Sequence, residues 1–159
     1  MSRSDASETK AQIAHPSEVQ MPNEPPKEPP AEIKAVIETA LGAFNDKNFS
    51  LFSSTFGGEV VIVDGFAPYR WLGPDAQGRW WADAETWAKD LGVVGEHISV
   101  QEILHWQVVG TRVYTVLSAT LTITLRKGEP ITRPGILTYT FLKLGEDWKA
   151  EGHTWGRLS

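Results

Sequence analysis

From Val113 to Leu125 (VYTVLSATLTITL) one parity carries Val113, Leu117, Ala119, Leu121, Ile123 and Leu125, and the other carries Tyr114, Ser118, Thr120, Thr122 and Thr124. Successive side chains of an extended chain point to opposite faces, so this segment is a long strand with one apolar and one polar side. Such a strand cannot hide its apolar side alone, and a second layer has to cover it. The sequence supplies that layer upstream. Ile33, Val36, Ile37, Ala40, Leu41 and Phe44 recur at three- and four-residue spacing, an amphipathic helix that follows Pro30 and ends at Asn45-Asp46-Lys47-Asn48. Phe49, Phe52 and Phe56 fit a short second helix broken by Gly57-Gly58. Pro74-Asp75 opens a third, because proline suits a first turn and an early carboxylate complements the helix dipole. Trp80, Trp81, Ala84, Trp87, Ala88 and Leu91 form its apolar face, and it stops near Gly92 or Gly95.

The other strands follow from the same rules. Glu59 to Asp64 (EVVIVD) is a β-branched run, and Gly65 to Gly73 reads as a loop rich in aromatics, glycine and proline. Ile98, Val100, Leu104, Trp106 and Val108 share one parity, and Val109-Gly110-Thr111-Arg112 turns the chain back. A loop at Gly128-Glu129-Pro130 leads to Ile136–Leu144, and Gly145-Glu146-Asp147 turns into a last strand, Trp148 to Trp155. Helices first and an antiparallel meander afterwards point to the α+β class.

The 159 residues suit one domain. Six of the ten prolines, no glycine and no aromatic residue fall in the first thirty positions, whereas all sixteen aromatics lie from Phe44 onward. Residues 1–30 are therefore expected to be a disordered or polyproline-like tail, and residues 31–159 the folded domain. With 15 Lys and Arg against 20 Asp and Glu, the net charge of -5 opposes nucleic acid as a main partner. No apolar run approaches the roughly 18 residues of a membrane span. Cysteine is absent, which excludes disulfides, thiolate nucleophiles and cysteine-held metals. Met1 to Ala14 lacks the apolar core of a secretory signal, so a chain that natively starts at Met1 is expected in the cytoplasm.

The element order, with Val63-Asp64-Gly65-Phe66-Ala67-Pro68-Tyr69-Arg70-Trp71, Gly73-Pro74-Asp75-Ala76, Arg79-Trp80-Trp81-Ala82-Asp83 and the terminal His153-Thr154-Trp155, resembles the SnoaL-like branch of the nuclear transport factor two-like superfamily. The resemblance covers almost the whole folded part. It implies a cone in which a strongly curved, mostly antiparallel sheet wraps three helices and encloses an apolar pocket. It also implies a homodimer formed through the outer sheet face. It implies no single activity, since the superfamily includes isomerases, cyclases, dehydratases and proteins without catalysis.

Asp64 ends the hydrophobic run Val60-Val61-Ile62-Val63 and is followed by Phe66, Tyr69 and Trp71. A carboxylate among rings loses hydration, which raises its pKa toward the range of a general base or acid. In ketosteroid isomerases, which share the implied fold, an aspartate shuttles the proton. The bland alternative is a turn aspartate that accepts hydrogen bonds from the Gly65 loop. His105 is the second candidate proton-transfer group, although it shares a polar face with Ser99, Gln101 and Gln107. His153 shares parity with Lys149 and Glu151 and is expected to face outward unless a bulge near Gly152 reverses it. The resembled branch often has an aromatic residue there.

Phe66, Tyr69, Trp71, Trp80 and Trp155 are the candidate pocket aromatics, with Trp80, Trp87 and Trp106 also fitting an ordinary core. Tyr114 and Tyr139 each have a hydroxyl that could orient a ligand oxygen or reach solvent. Glu96, His97 and Glu102 lack zinc-type spacing, and no dinucleotide, phosphate-loop or nucleophile-elbow signature occurs, so neither a metal nor a cofactor is expected. The leading functional expectation is a pocket protein for a compact apolar or aromatic molecule. The rivals are an enzyme moving a proton next to a carbonyl, with Asp64 as base and a histidine or tyrosine as donor, and a dimerisation module whose outer face includes Thr122 and Thr124.

Overall fold

A computed structural model of the chain describes residues 28–159, so the expected tail lies outside the described residues except at Glu28–Pro30. The elements in chain order are α1 (Ala31–Asn45), α2 (Phe49–Ser54), β1 (Phe56–Val63), β2 (Arg70–Leu72), α3 (Ala76–Leu91), β3 (Val93–Val109), β4 (Arg112–Leu125), β5 (Ile131–Leu144) and β6 (Asp147–Arg157). The strands form one open six-stranded sheet in the order β2-β1-β6-β5-β4-β3. All neighbours are antiparallel except β1 and β6, which run parallel. The three helices cover the concave face, giving the α+β cone.

The alternation in β4 does what its pattern requires. Val113, Leu117, Ala119 and Ile123 are buried, and Leu117 pairs with Leu137 of β5, which pairs with Trp155 of β6. Against this row α1 packs Ile33, Ile37 and Leu41, α2 packs Phe52, and α3 packs Ala76 and Trp80.

Several boundaries differ from the sequence reading, each for a visible reason. Phe56 begins β1 instead of extending α2, and Gly57-Gly58 lie inside the strand. A side chain at Gly57 would press on Leu144 and Lys149 at 3.0 Å, so this glycine permits close strand packing instead of ending an element. The expected loop from Gly65 contains β2, whose Trp71 pairs with Ile62 and is buried. Asp75 stands just before α3 in the left-handed region and gives no side-chain cap, with Pro74 outside the helix. Leu91, at the end of α3, is exposed. β5 starts at Ile131, ahead of the expected Ile136. In β3 the register shifts between Val93 and Gly95, between Val100 and Glu102, and between Ile103 and His105. A bulge inserts a residue and reverses parity. Ile103 therefore packs toward the core opposite Leu117, and Leu104 is the extra, exposed residue.

β3 is an edge strand, and its backbone at Ile98 is satisfied by the last residue of α1. The Ile98 N–H donates to Asn45 Oδ1 at 2.8 Å, and Asn45 Nδ2 donates to the Ile98 carbonyl at 3.0 Å. Removing the amide leaves two backbone groups at a part-buried position without partners, a cost of about 1–3 kcal/mol. Asn45→Ala is expected to lower the urea-unfolding free energy by that amount. A loss indistinguishable from zero would show that the tie is dispensable.

Candidate functional site

Between the helices and the concave sheet face lies an apolar hollow of about 140 Å³. Leu41, Phe44 and Phe52 close it from α1 and α2, and Trp80, Ala84 and Trp87 from α3. The sheet contributes Ile98, Leu121, Ile123 and Leu137, together with His153 and Trp155. Trp155 lies across Gly135, where a Cβ would run into its ring. Four ionisable side chains also reach the wall: Asp64, Glu96, Arg133 and Arg157.

Asp64 follows Val63, the residue of β1 that pairs with Thr154 of the parallel strand β6. Its Oδ2 accepts a hydrogen bond from Trp80 Nε1 at 3.0 Å, and its Oδ1 accepts one from the Gly65 N–H at 2.6 Å. Burial pushes its pKa up, and the two donors offset part of that rise. Asp64 therefore accepts a hydrogen bond from the Gly65 backbone and lies on the wall of the hollow.

His153 does not face outward. Thr140 pairs with Gly152, but the next residue of β5, Phe141, pairs with Ala150, leaving Glu151 as the extra residue of a bulge. The reversal turns His153 onto the concave face, where it is buried. Its ring centroid lies 5.0 Å from that of Tyr139, 5.8 Å from that of Trp80 and 6.3 Å from that of Phe56. Burial lowers its pKa to about 4, so the imidazole is neutral at pH 7. Its Nδ1 has no hydrogen-bond partner among the described residues.

Glu96 faces the hollow opposite Ile123. Burial raises its pKa, the nearby Lys47 charge lowers it, and the Asp64 charge raises it further. Glu96 also borders a second hollow of about 310 Å³ between α3 and the start of β3, which shares Phe44, Trp80 and Ala84 with the first and whose wall includes Lys47, Lys89 and Arg126. His97 and Glu102 pair with Thr122 and Ser118 on the opposite face of the sheet.

Of the residues expected from sequence, Asp64, Phe66, Trp80 and Trp155 meet at the hollow. Trp71 is core, its Nε1 donating to Asp83 Oδ2 at 2.8 Å and its ring 5.1 Å from Phe66. Tyr69 is 59% exposed and does not line it. Tyr139 is buried beside His153 but behind the wall, and its hydroxyl has no partner among the described residues. His105 and Tyr114 sit together on the convex face, with ring centroids 6.1 Å apart, so the structure does not bring His105 to Asp64. Sequence reasoning missed Arg133 and Arg157, weighed Glu96 only as a metal ligand, and placed His153 outward unless a bulge near Gly152 reversed it, the bulge that β6 contains. Arg133 shares the parity of Leu137 and Phe141 and would have been found had β5 been extended back to Ile131.

The arrangement places a carboxyl of raised pKa and a neutral imidazole on one apolar wall. The buried histidine gives a pH signature. Between about pH 4 and its ordinary value of 6.5 the unfolded chain binds a proton that the folded chain refuses, so stability falls as pH falls through this window. At roughly 1.4 kcal/mol per unit, the loss from this group approaches about 3 kcal/mol by pH 4. His153→Gln is expected to remove that component, seen as a shallower decline in urea-unfolding free energy from pH 7 to pH 4 than the wild type shows. Parallel declines would refute it.

Comparison with family models and with curated proteins gives no match. Solved structures do match. A ketosteroid isomerase-like protein from Erwinia carotovora atroseptica superposes with a TM-score of 0.64 at 16% identity, covering 81% of this chain and 95% of that one. A type 3 hexachlorocyclohexane dehydrochlorinase from Novosphingobium barchaimii LL02 gives a TM-score of 0.68 at 11% identity, covering 81% and 86%. An NTF2-like protein from Pseudomonas putida KT2440 gives 0.65 at 14% identity, covering 79% and 83%. At these identities the likeness concerns the fold. The chain has the fold of the nuclear transport factor two-like (NTF2-like) superfamily.

Proposed function

We propose that the chain is a small-molecule pocket protein of the SnoaL-like type that holds a compact apolar or aromatic ligand beside Phe66, Trp80 and Trp155. The observation that carries this reading is the apolar hollow of about 140 Å³ with Asp64 and His153 on its wall. A void of about 150 Å³ is large enough to bind a benzene ring, so a single-ring compound is the expected size class. A ligand that binds only the folded state raises the melting temperature by mass action.

A second reading is favoured by the raised carboxyl and the neutral imidazole in one hollow: proton transfer next to a carbonyl. Asp64 takes the proton from the carbon beside the carbonyl, the electron pair moves to the oxygen as an enolate, and an imidazole N–H of His153 donates to that oxygen. The proton then returns from the Asp64 carboxyl to carbon. His153 takes the donor role expected of His105, which faces the other side of the sheet.

Two measurements test these readings. Benzyl alcohol is expected to raise the melting temperature of the wild type, and Ala84→Phe, which fills the hollow, is expected to abolish the shift. An undiminished shift in that variant would exclude the hollow as the site. For the second reading, the protein is expected to accelerate exchange of the α-protons of cyclohexanone into deuterium oxide, followed by NMR. Asp64→Asn is expected to cut that rate about 10²–10⁴-fold while keeping benzyl alcohol binding. Exchange no faster than in buffer would eliminate the catalytic reading and leave the binding one standing.

A further inference from the structure

We infer that the ligand of the hollow is an organic acid, a one-ring apolar body whose carboxylate lies between the guanidinium groups of Arg133 and Arg157. The inference rests on the hollow being the ligand site. Arg133 lies opposite Leu121 on β5, and Arg157 of β6 pairs with Gly135, two residues along β5 from Arg133. Side chains so placed are diagonal neighbours on one sheet face, within mutual reach when they are long. Both line the hollow, at the end where Trp155 lies over Gly135.

Neither guanidinium has an ion-pair or hydrogen-bond partner among the described residues. Arg112 pairs with Glu151 at 2.9 Å and Arg79 donates to the carbonyls of Leu72 and Pro74, whereas Arg70 and Arg126, like Arg133 and Arg157, have no such partner among the described residues. In a chain of net charge -5, two guanidinium groups at diagonal positions of one sheet face, unpaired although Asp64 and Glu96 line the same hollow, form an anion receptor. The adjoining larger hollow adds Lys47, Lys89 and Arg126, so the surroundings favour approach of a negatively charged molecule. Asp64 and Glu96 on the same wall set the limit on that charge. A carboxylate brings one negative charge beside them, whereas a phosphate ester brings nearly two.

The test is calorimetric titration of the full chain at pH 7 with benzoate, benzyl alcohol and phenyl phosphate. Benzoate is expected to bind at least about tenfold tighter than benzyl alcohol, as a bidentate charge-assisted contact provides. The double variant Arg133→Gln/Arg157→Gln is expected to erase that preference while holding benzyl alcohol within about twofold of its wild-type affinity, which also reports that the hollow is intact. Should the double variant fail to fold, the wild-type ratio and the exposed single variant Arg157→Gln carry the test, with a smaller loss of preference expected. Benzyl alcohol binding as well as benzoate, or a preference that survives the arginine changes, would overturn the acid assignment and leave the pocket reading intact. Phenyl phosphate binding more tightly than benzoate would overturn the choice of carboxylate. Binding of none of the three would overturn both the pocket reading and this one.

Discussion

The two hydrogen bonds between the Asn45 side chain and the backbone of Ile98 set the geometry on which the hollow depends. An edge strand presents backbone donors and acceptors that must find water, another strand or a side chain. Asn45 meets one such pair with both halves of a single amide, at the point where α1 ends. Because Ile98 lines the hollow, the tie fixes how far the helical layer stands from the sheet at that wall. Packing of Ile33, Ile37 and Leu41 then fills the space farther along α1.

Bulges decide which side chains reach the enclosed space. An unbroken β6 would turn His153 to the convex side with Lys149, and an unbroken β3 would bring Leu104 inward in place of Ile103. One inserted residue in each strand exchanges these positions and also bends the strand, as bulges do. Glycines cooperate: Gly152 lies against Thr140, where a Cβ would collide with the threonine hydroxyl, beside the bulged Glu151. The same irregularity that curves the sheet thus delivers its one buried histidine.

Much of the fold was legible because burial follows periodicity. The helical spacing of Ile33 to Phe44 and the alternation from Val113 to Leu125 each required a covering layer, and the two cover each other. The site was legible only in part. Asp64, Phe66 and Trp155 were visible as a carboxylate and rings at or near strand ends, and Trp80 as a ring on the apolar face of a helix. His153 was legible only conditionally, because parity places it outward in an unbroken strand and a bulge near Gly152, the condition named for reversal, is present at Glu151. Trp71 was misplaced because β2 is three residues long, too short to carry a pattern of its own, and forms by pairing with β1. Arg133 lies in the stretch of β5 before Ile136, where a proline and a glycine mask the strand signal.

Gly135 gives the enclosed space a dimension that none of its visible walls specifies. Because this position lacks a methyl, the indole of Trp155 can rest directly on the backbone of the neighbouring strand. An alanine there would run into the indole and, at 2.8 Å, into the Gly156 carbonyl, and a ring displaced by it would take its room from the cavity. Capacity is therefore governed by an atom that is missing from β5, and a single-carbon change at residue 135 would shift the indole together with the β6 backbone beside Arg157.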